Sequence, residues 1–317
     1  MNLKKYIAAL LITLITCFSI FGGASLARFL YGDSLSDEIE ELLDKPVDKK
    51  INILVMGLDE DKIRADTIMI VNINPENKTI KLMSIPRDTK VHVGSSAIKI
   101  NATMSYKSKE ELMIQKLREV TGMPIHYYAE VDFYGFIKIV DILGGVDYNV
   151  PYPMNYDDPG QNLHIHLNAG MQHLNGKQAH DFVRFRQNND GTAPSLYALG
   201  DEGRIKAQQA FIKELVRQKL QPQYIAKAPE LIEQVYKYVK TNFTVADALR
   251  YVSVLSKFGE GGFETFTLPG AGEYQGGISY FIHNAQKTRE LVYEEFGYLN
   301  GESVPLPPEP TPSAAAA

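Results

Sequence analysis

The sequence predicts an α/β (α+β) domain, a mixed central β-sheet flanked by helices, in a single domain behind an N-terminal transmembrane helix. Three observations carry this. Runs of β-branched and aliphatic residues bounded by Gly, Pro and Asp recur early in the chain, as buried strands do. Stretches with apolar residues three and four apart follow, as helices require. Strand-type and helix-type segments then interleave, the order of an α/β or α+β fold.

The amino terminus comes first. Lys4 and Lys5 precede an apolar run from Tyr6 to Leu26, close to the ~20 residues that a helix needs to cross a bilayer. Asp33, Asp37, Glu38, Glu40 and Glu41 lie behind it. Positive charge ahead of the span makes residues 1–30 a cytoplasmic end and signal anchor, with the bulk of the chain outside. Gly23-Ala24-Ser25 offers small residues for cleavage, but the run is long for a signal peptide, so an uncleaved anchor is expected. Residues 31–49 read as an acidic stalk, 50–300 as the extracellular domain, and 301–317 as a disordered Pro/Ala tail.

Within the domain, Ile51–Met56, Thr67–Asn72 and Thr79–Ile85 read as strands, and Asn74-Pro75-Glu76-Asn77 as a hairpin turn. Glu110–Thr121 reads as a helix stopped by Gly122 and Pro124, and His126–Val131 as a strand. Phe133–Leu143 has helical periodicity and stops at Gly144-Gly145. Gly176 is expected to turn the chain before a short Gln178–Val183 helix. Asp201–Lys219 is a long helix closed before Pro222. Pro229–Val239, Val245–Phe258 and Asn284–Phe296 are further helices, and Phe263–Leu268 a strand.

Of the 317 residues, 44% are hydrophobic, enough for a sizeable core. The net charge of −5 argues against a nucleic-acid partner. The single cysteine, Cys17, excludes an intrachain disulfide, and no Cys/His spacing suits zinc. His164 and His166 alternate across Ile165 and read as a solvated strand face. There is no Gly-x-Ser-x-Gly elbow, no paired Cys and His and no Walker lysine loop, so no covalent nucleophile of those kinds is offered.

What the chain does offer is arginine and carboxylate at strand ends. Arg64-Ala65-Asp66-Thr67 opens one apolar run, and Ser84-Ile85-Pro86-Arg87-Asp88 closes another. Arginine grips phosphate with a planar fork, and carboxylates hold Mg²⁺ beside substrate phosphates. On a helix, Asp201, Arg204 and Gln208 fall within about 60° of one another. An exposed salt bridge explains that face by itself, but here the face opens a helix, where the dipole favours an anion. Arg184 and Arg186 share a face if their segment is extended. A solvated surface strand and a bound polyanion both account for that.

The motifs continue in one order: Lys99-Ile100-Asn101-Ala102, Leu143-Gly144-Gly145-Val146, Leu174-Asn175-Gly176-Lys177-Gln178-Ala179, Val183-Arg184-Phe185-Arg186 and Asp201-Glu202-Gly203-Arg204. With Asn52–Asp88 they resemble the LytR-CpsA-Psr (LCP) family, closely from Lys50 to Gln209 and more loosely to Gly297. The resemblance implies a membrane-anchored enzyme of a Gram-positive-type envelope. Such an enzyme moves a polyprenyl-pyrophosphate-linked glycopolymer, such as wall teichoic acid or capsule, onto peptidoglycan through a phosphodiester and releases polyprenyl phosphate. It implies Mg²⁺, or Mn²⁺, held by Asp66 and Asp59. The loop between them also contains Glu60 and Asp61, either of which is an alternative to Asp59. Arg64, Arg87, Lys99, Arg184, Arg186, Arg204 and Gln208 are implied as phosphate or head-group contacts. Asp201 and Asp88 are candidates for the general base, or for orienting an arginine.

Rival readings are a polyprenyl-pyrophosphate-sugar pyrophosphatase using the same site, a membrane-bound transcription attenuator, and a non-catalytic wall-binding protein. The acidic charge, the outward topology and the lack of a helix-turn-helix cue disfavour the attenuator. The apolar faces of Phe133–Leu143 and of Ile205, Ala207, Ala210, Phe211 and Leu215 are expected to be core, although a lipid tunnel uses the same residue types.

Overall fold

The computed structural model describes residues 49–298, apart from 195–196, 198–200, 222–223, 225–226 and 256–261. The expected anchor, the Pro/Ala tail and all but the last residue of the stalk lie outside the described residues. Among those described, no helix is long and apolar enough to cross a membrane.

Three strands form the centre: β1 (Ile51–Leu58), β2 (Ala65–Asn74) and β3 (Thr79–Ser84). Asn74 caps the β2–β3 turn by accepting the Glu76 and Asn77 amides, as an Asx turn does. A short hairpin follows, β4 (Lys90–Val93) and β5 (Ser96–Lys99), then helix α1 (Lys109–Thr121). Gly122 ends α1 in the left-handed conformation at φ 69°. Next come β6 (Tyr127–Val131) and α2 (Phe133–Ile142), with Asp132 capping α2 through the Gly135 amide.

Two further two-stranded antiparallel sheets come from β7 (Val146–Val150), β8 (Met154–Asp158), β9 (Leu163–Leu167) and β10 (Gly170–Leu174): β8 and β9 form a hairpin, and β7 pairs with β10 on either side of it in the chain. Then follow α3 (Gly176–Arg184), α4 (Asp201–Lys219), α5 (Ala228–Tyr236), β11 (Lys240–Thr241) and α6 (Val245–Leu255). The domain closes with β12 (Phe263–Thr267), the β13 (Gly270–Gln275) and β14 (Ile278–His283) hairpin, and α7 (Ala285–Leu291), continued by a π-helical turn over Val292–Phe296.

The central sheet has the order β11-β6-β1-β2-β3-β12. β1 and β3 each pair antiparallel with β2, while β6 lies parallel to β1 and β12 parallel to β3. β1, β3, β6 and β12 therefore run one way and leave their carboxyl ends along one edge, where β2 begins. One face of the sheet buries Leu54, Met56, Ile68, Ile70 and Met83 against Met113, Ile114 and Leu117 of α1. A second core joins Val140, Phe182, Ala207 and Phe211 of α2, α3 and α4 to Val146, Val150 and Ile165 of the hairpins. The α2 and α4 faces are thus core, as expected, except that Ala210 is exposed.

Other expectations need correction. Gly176 is not a turn. It starts α3, under a capping box from Asn175 and Gln178. A Cβ there would stand 2.1 Å from the Ile137 carbonyl oxygen, so α2 and α3 meet only over glycine. Arg184 and Arg186 do not share a strand face, because α3 runs through Arg184 and ends at Phe185. The β4–β5, β8–β9 and β13–β14 hairpins and the β7–β10 pair were not expected, apart from the strand face read at His164 and His166 in β9. Most are short strands with one wet face.

Candidate active site

The sheet edge gathers the charged residues. Asp66 is the second residue of β2, and Arg87 stands in the loop after β3. That loop is held from several sides. The Ile85 amide donates to the Ile68 carbonyl, the Thr89 amide to that of Pro86, the Asn101 amide to that of Arg87 and the Phe281 amide to that of Asp88. Across this frame Arg87 Nη1 reaches Asp66 Oδ1 at 2.5 Å. The first turn of α4 brings Asp201 to the same point. Its carboxylate lies 2.8 Å from Arg204, 3.6 Å from Arg87 and 3.7 Å from Arg186.

Asp66, Ser84, Arg87, Asp201, Arg204 and Gln208 line a narrow cleft. Arg204 is 7% exposed, and its Nε has no hydrogen-bond partner. Burial pushes its guanidinium down to about 10, against the pull of Asp201. For Arg87, burial also opposes the charge, but Asp66 and Asp201 outweigh it and hold the group above its ordinary value. Burial lowers the Arg184 guanidinium, against the pull of Asp66 and Glu60. Arg87 and Arg204 balance Asp66 and Asp201 among the lining residues, and Arg186, 3.7 Å from Asp201 beside the cleft, adds a further guanidinium, a charge pattern suited to a polyanion.

Other expected site residues fall differently. Lys99 pairs with Asp88 at 3.0 Å, beside the cleft rather than lining it. Arg64 is exposed in the β1–β2 loop. Gln208 lines the cleft and also donates to the Val183 carbonyl at 3.1 Å, tying α4 to the end of α3. His164 and His166 are exposed on β9 as expected, both directed at Asp157.

Asp59 and Asp66 stand at the paired ends of β1 and β2. Asp59 Oδ1 accepts the Ile63 and Arg64 amides, and Asp66 Oδ1 accepts Arg87, so each carboxylate keeps a second oxygen. Glu60 and Asp61 are exposed in the same loop. Among the described residues, no three His, Cys, Asp or Glu side chains assemble as metal ligands. Two carboxylates fit Mg²⁺ when substrate phosphate and water complete its shell, which is how Mg²⁺ is commonly held.

Sequence reasoning missed Gln209. Its buried amide donates to Ser84 Oγ, the Phe266 carbonyl and Thr267 Oγ1 at 2.8–3.2 Å, which fixes α4, and with it Arg204, to the ends of β3 and β12. Its position beside Gln208, on a helix between two apolar layers, was the available signal. It also missed Gln161, which is remote in sequence and had no signal.

The fold and the cleft define a mixed α/β protein with an arginine- and aspartate-lined cleft at the sheet's carboxyl edge. The chain belongs to the LytR_cpsA_psr family, whose model matches residues 29–296. It is 29% identical over 280 residues to the polyisoprenyl-teichoic acid–peptidoglycan teichoic acid transferase TagV of Bacillus subtilis (strain 168), covering 84% of this chain and 68% of that protein. It is 32% identical over 199 residues to the corresponding transferase TagU of Bacillus mycoides (strain KBAB4), covering 61% of this chain and 60% of that one. The crystal structure of B. subtilis TagV superposes with a TM-score of 0.67 at 28% identity, over 80% of this chain and all of that one.

Proposed function

We propose that this protein attaches a polyprenyl-pyrophosphate-linked glycopolymer to peptidoglycan, as the names of TagV and TagU say of those proteins for teichoic acid. The observation that carries the reading is the cleft lined by Arg87 and Arg204, the latter with a buried, incompletely bonded guanidinium.

A peptidoglycan hydroxyl oxygen bonds to the phosphorus nearest the glycopolymer. The bond from that phosphorus to the bridging oxygen breaks, and polyprenyl phosphate leaves with the electron pair. Arg87, Arg184, Arg186 and Arg204 bind the diphosphate oxygens and stabilise the charge that grows on the leaving group. Arg87 does so from a loop fixed before substrate arrives, so little reorganisation is needed. Asp201, which lines the cleft, accepts the hydroxyl proton. Asp88 is paired with Lys99 and is the weaker candidate. When bound by Asp66 and Asp59, Mg²⁺ (or Mn²⁺) supplies further charge neutralisation at the diphosphate. An anchor from Tyr6–Leu26 keeps the enzyme at the membrane surface, in the same plane as its lipid donor.

The test uses the full chain in detergent with a short synthetic lipid-linked donor, peptidoglycan oligomers and Mg²⁺. A covalent phosphodiester product, lost in chelator and in Asp66→Ala, is expected. Hydrolysis alone with saturating acceptor points instead to a pyrophosphatase, and bound donor without turnover to a binding role. Full activity in chelator refutes the metal.

A further inference from the structure

Arg87 and Arg204 of the cleft, and Arg186 beside it, face carboxylates: Arg87 faces Asp66 and Asp201, and Arg186 and Arg204 face Asp201. Arg184 is held differently. Its Nη2 donates to Gln161 Oε1 at 2.9 Å, and its guanidinium carbon sits 4.5 Å from the centre of the Phe133 ring. Among the described residues it has no carboxylate at ion-pair distance.

The amide is oriented by its own turn. Gln161 closes the short helical turn Pro159–Gln161 after β8, and Asp158 accepts from both its backbone amide at 3.2 Å and its Nε2 at 2.6 Å. A carboxylate only accepts, so the NH₂ end must face Asp158 and the carbonyl end is left for Arg184. Phe133, at the start of α2, is braced edge-on by His180 at 5.0 Å, so its face stays beneath the guanidinium. A ring face attracts a cation without neutralising it.

We infer that Gln161 and Phe133 are positioning residues that hold Arg184 through neutral contacts, so that no direct ion pair competes with the diphosphate of the donor for its guanidinium. This rests on the function proposed above. A carboxylate at the same place would hold Arg184 equally well and cancel it. The β8–β9 hairpin, remote from the sheet edge in sequence, thereby becomes part of donor recognition.

Gln161 is exposed in a turn, so its replacement leaves the cores intact. In the full-length enzyme with the short lipid-linked donor, Gln161→Ala should raise KM several-fold with kcat changed less. Gln161→Glu, which keeps an acceptor but adds a charge, should raise KM about tenfold or more, the scale of one charged hydrogen bond. Phe133→Leu should fall between. Gln161→Glu should add nothing in an Arg184→Ala background, because the effect passes through Arg184. Wild-type KM in Gln161→Glu, or an equal penalty with and without Arg184, overturns the inference while leaving the transferase reading standing. A wild-type enzyme that neither binds nor turns over the donor overturns both.

Discussion

Asp201 and Arg204, one helical turn apart on α4, meet at 2.8 Å, and Asp201 also faces Arg87 and Arg186 from other segments. One carboxylate thus stands among three guanidiniums that would otherwise repel one another.

This arrangement depends on planar forks. Arg87→Lys and Arg204→Lys should each lower kcat/KM by roughly ten- to a hundredfold, since a lost charged hydrogen bond costs about 1.5–3 kcal/mol and an ammonium lacks bidentate geometry. Arg217→Ala, which breaks an exposed pair with Glu214 on the far part of α4, should change kcat/KM little. Steady-state kinetics on the three variants decide it.

Gln209 tests how firmly α4 must be seated. Gln209→Leu leaves the Phe266 carbonyl and Ser84 Oγ without their buried donor, so unfolding free energy should fall by about 1–3 kcal/mol. Because Arg204 rides on the same helix, kcat should fall as well. Denaturant melts paired with activity assays at a temperature where the variant is folded separate the two effects.

Gly176→Ala should be among the most damaging small substitutions. The new methyl would press on the Ile137 backbone of α2, with its O at 2.1 Å and C at 2.8 Å, and on the Asp141 side chain, with Oδ1 at 2.9 Å. Separating α2 from α3 opens the second core, a loss of about 3 kcal/mol or more on the scale of cavity and overpacking changes. Calorimetry should show a markedly lower Tm. A Tm within a degree or two of wild type would refute the close-packing account.

His126 gives a pH dependence. Its Nδ1 accepts the Asn52 amide at 2.9 Å, which requires the unprotonated nitrogen. Burial, reinforced by Arg118, lowers its folded value below the ordinary 6.5. The unfolded chain then binds more protons than the folded one below about pH 6.5, so stability rises with pH and is lost as the medium is acidified through that range. His126→Asn keeps an acceptor and removes the titration. The difference in stability between wild type and variant should shrink or reverse between pH 7.5 and 5.5, and a constant difference would refute the role.

Most of the sheet was legible in the sequence because its central strands are buried. Ile51–Met56, Thr67–Asn72 and Thr79–Ile85 are apolar runs with turn residues at both ends, and burial enforces that pattern. The helices at Glu110–Thr121, Phe133–Leu143 and Asp201–Lys219 are marked by periodicity and by Gly or Pro stops for the same reason. Asp66, Arg87, Asp201 and Arg204 were also visible, as charges at the ends of those elements. The hairpins were not, since short half-wet strands carry little apolar signal. Only the tertiary structure decided which charges meet. The shared direction of β1, β3, β6 and β12 brings Asp66 and Arg87 to one edge. Gly176 lets α3 approach α2. Gln209 seats α4, and Gln161 reaches Arg184 from a hairpin 23 residues away. A sequence records which residues are charged and which are buried. The distance between two charges on different elements is set by how those elements pack.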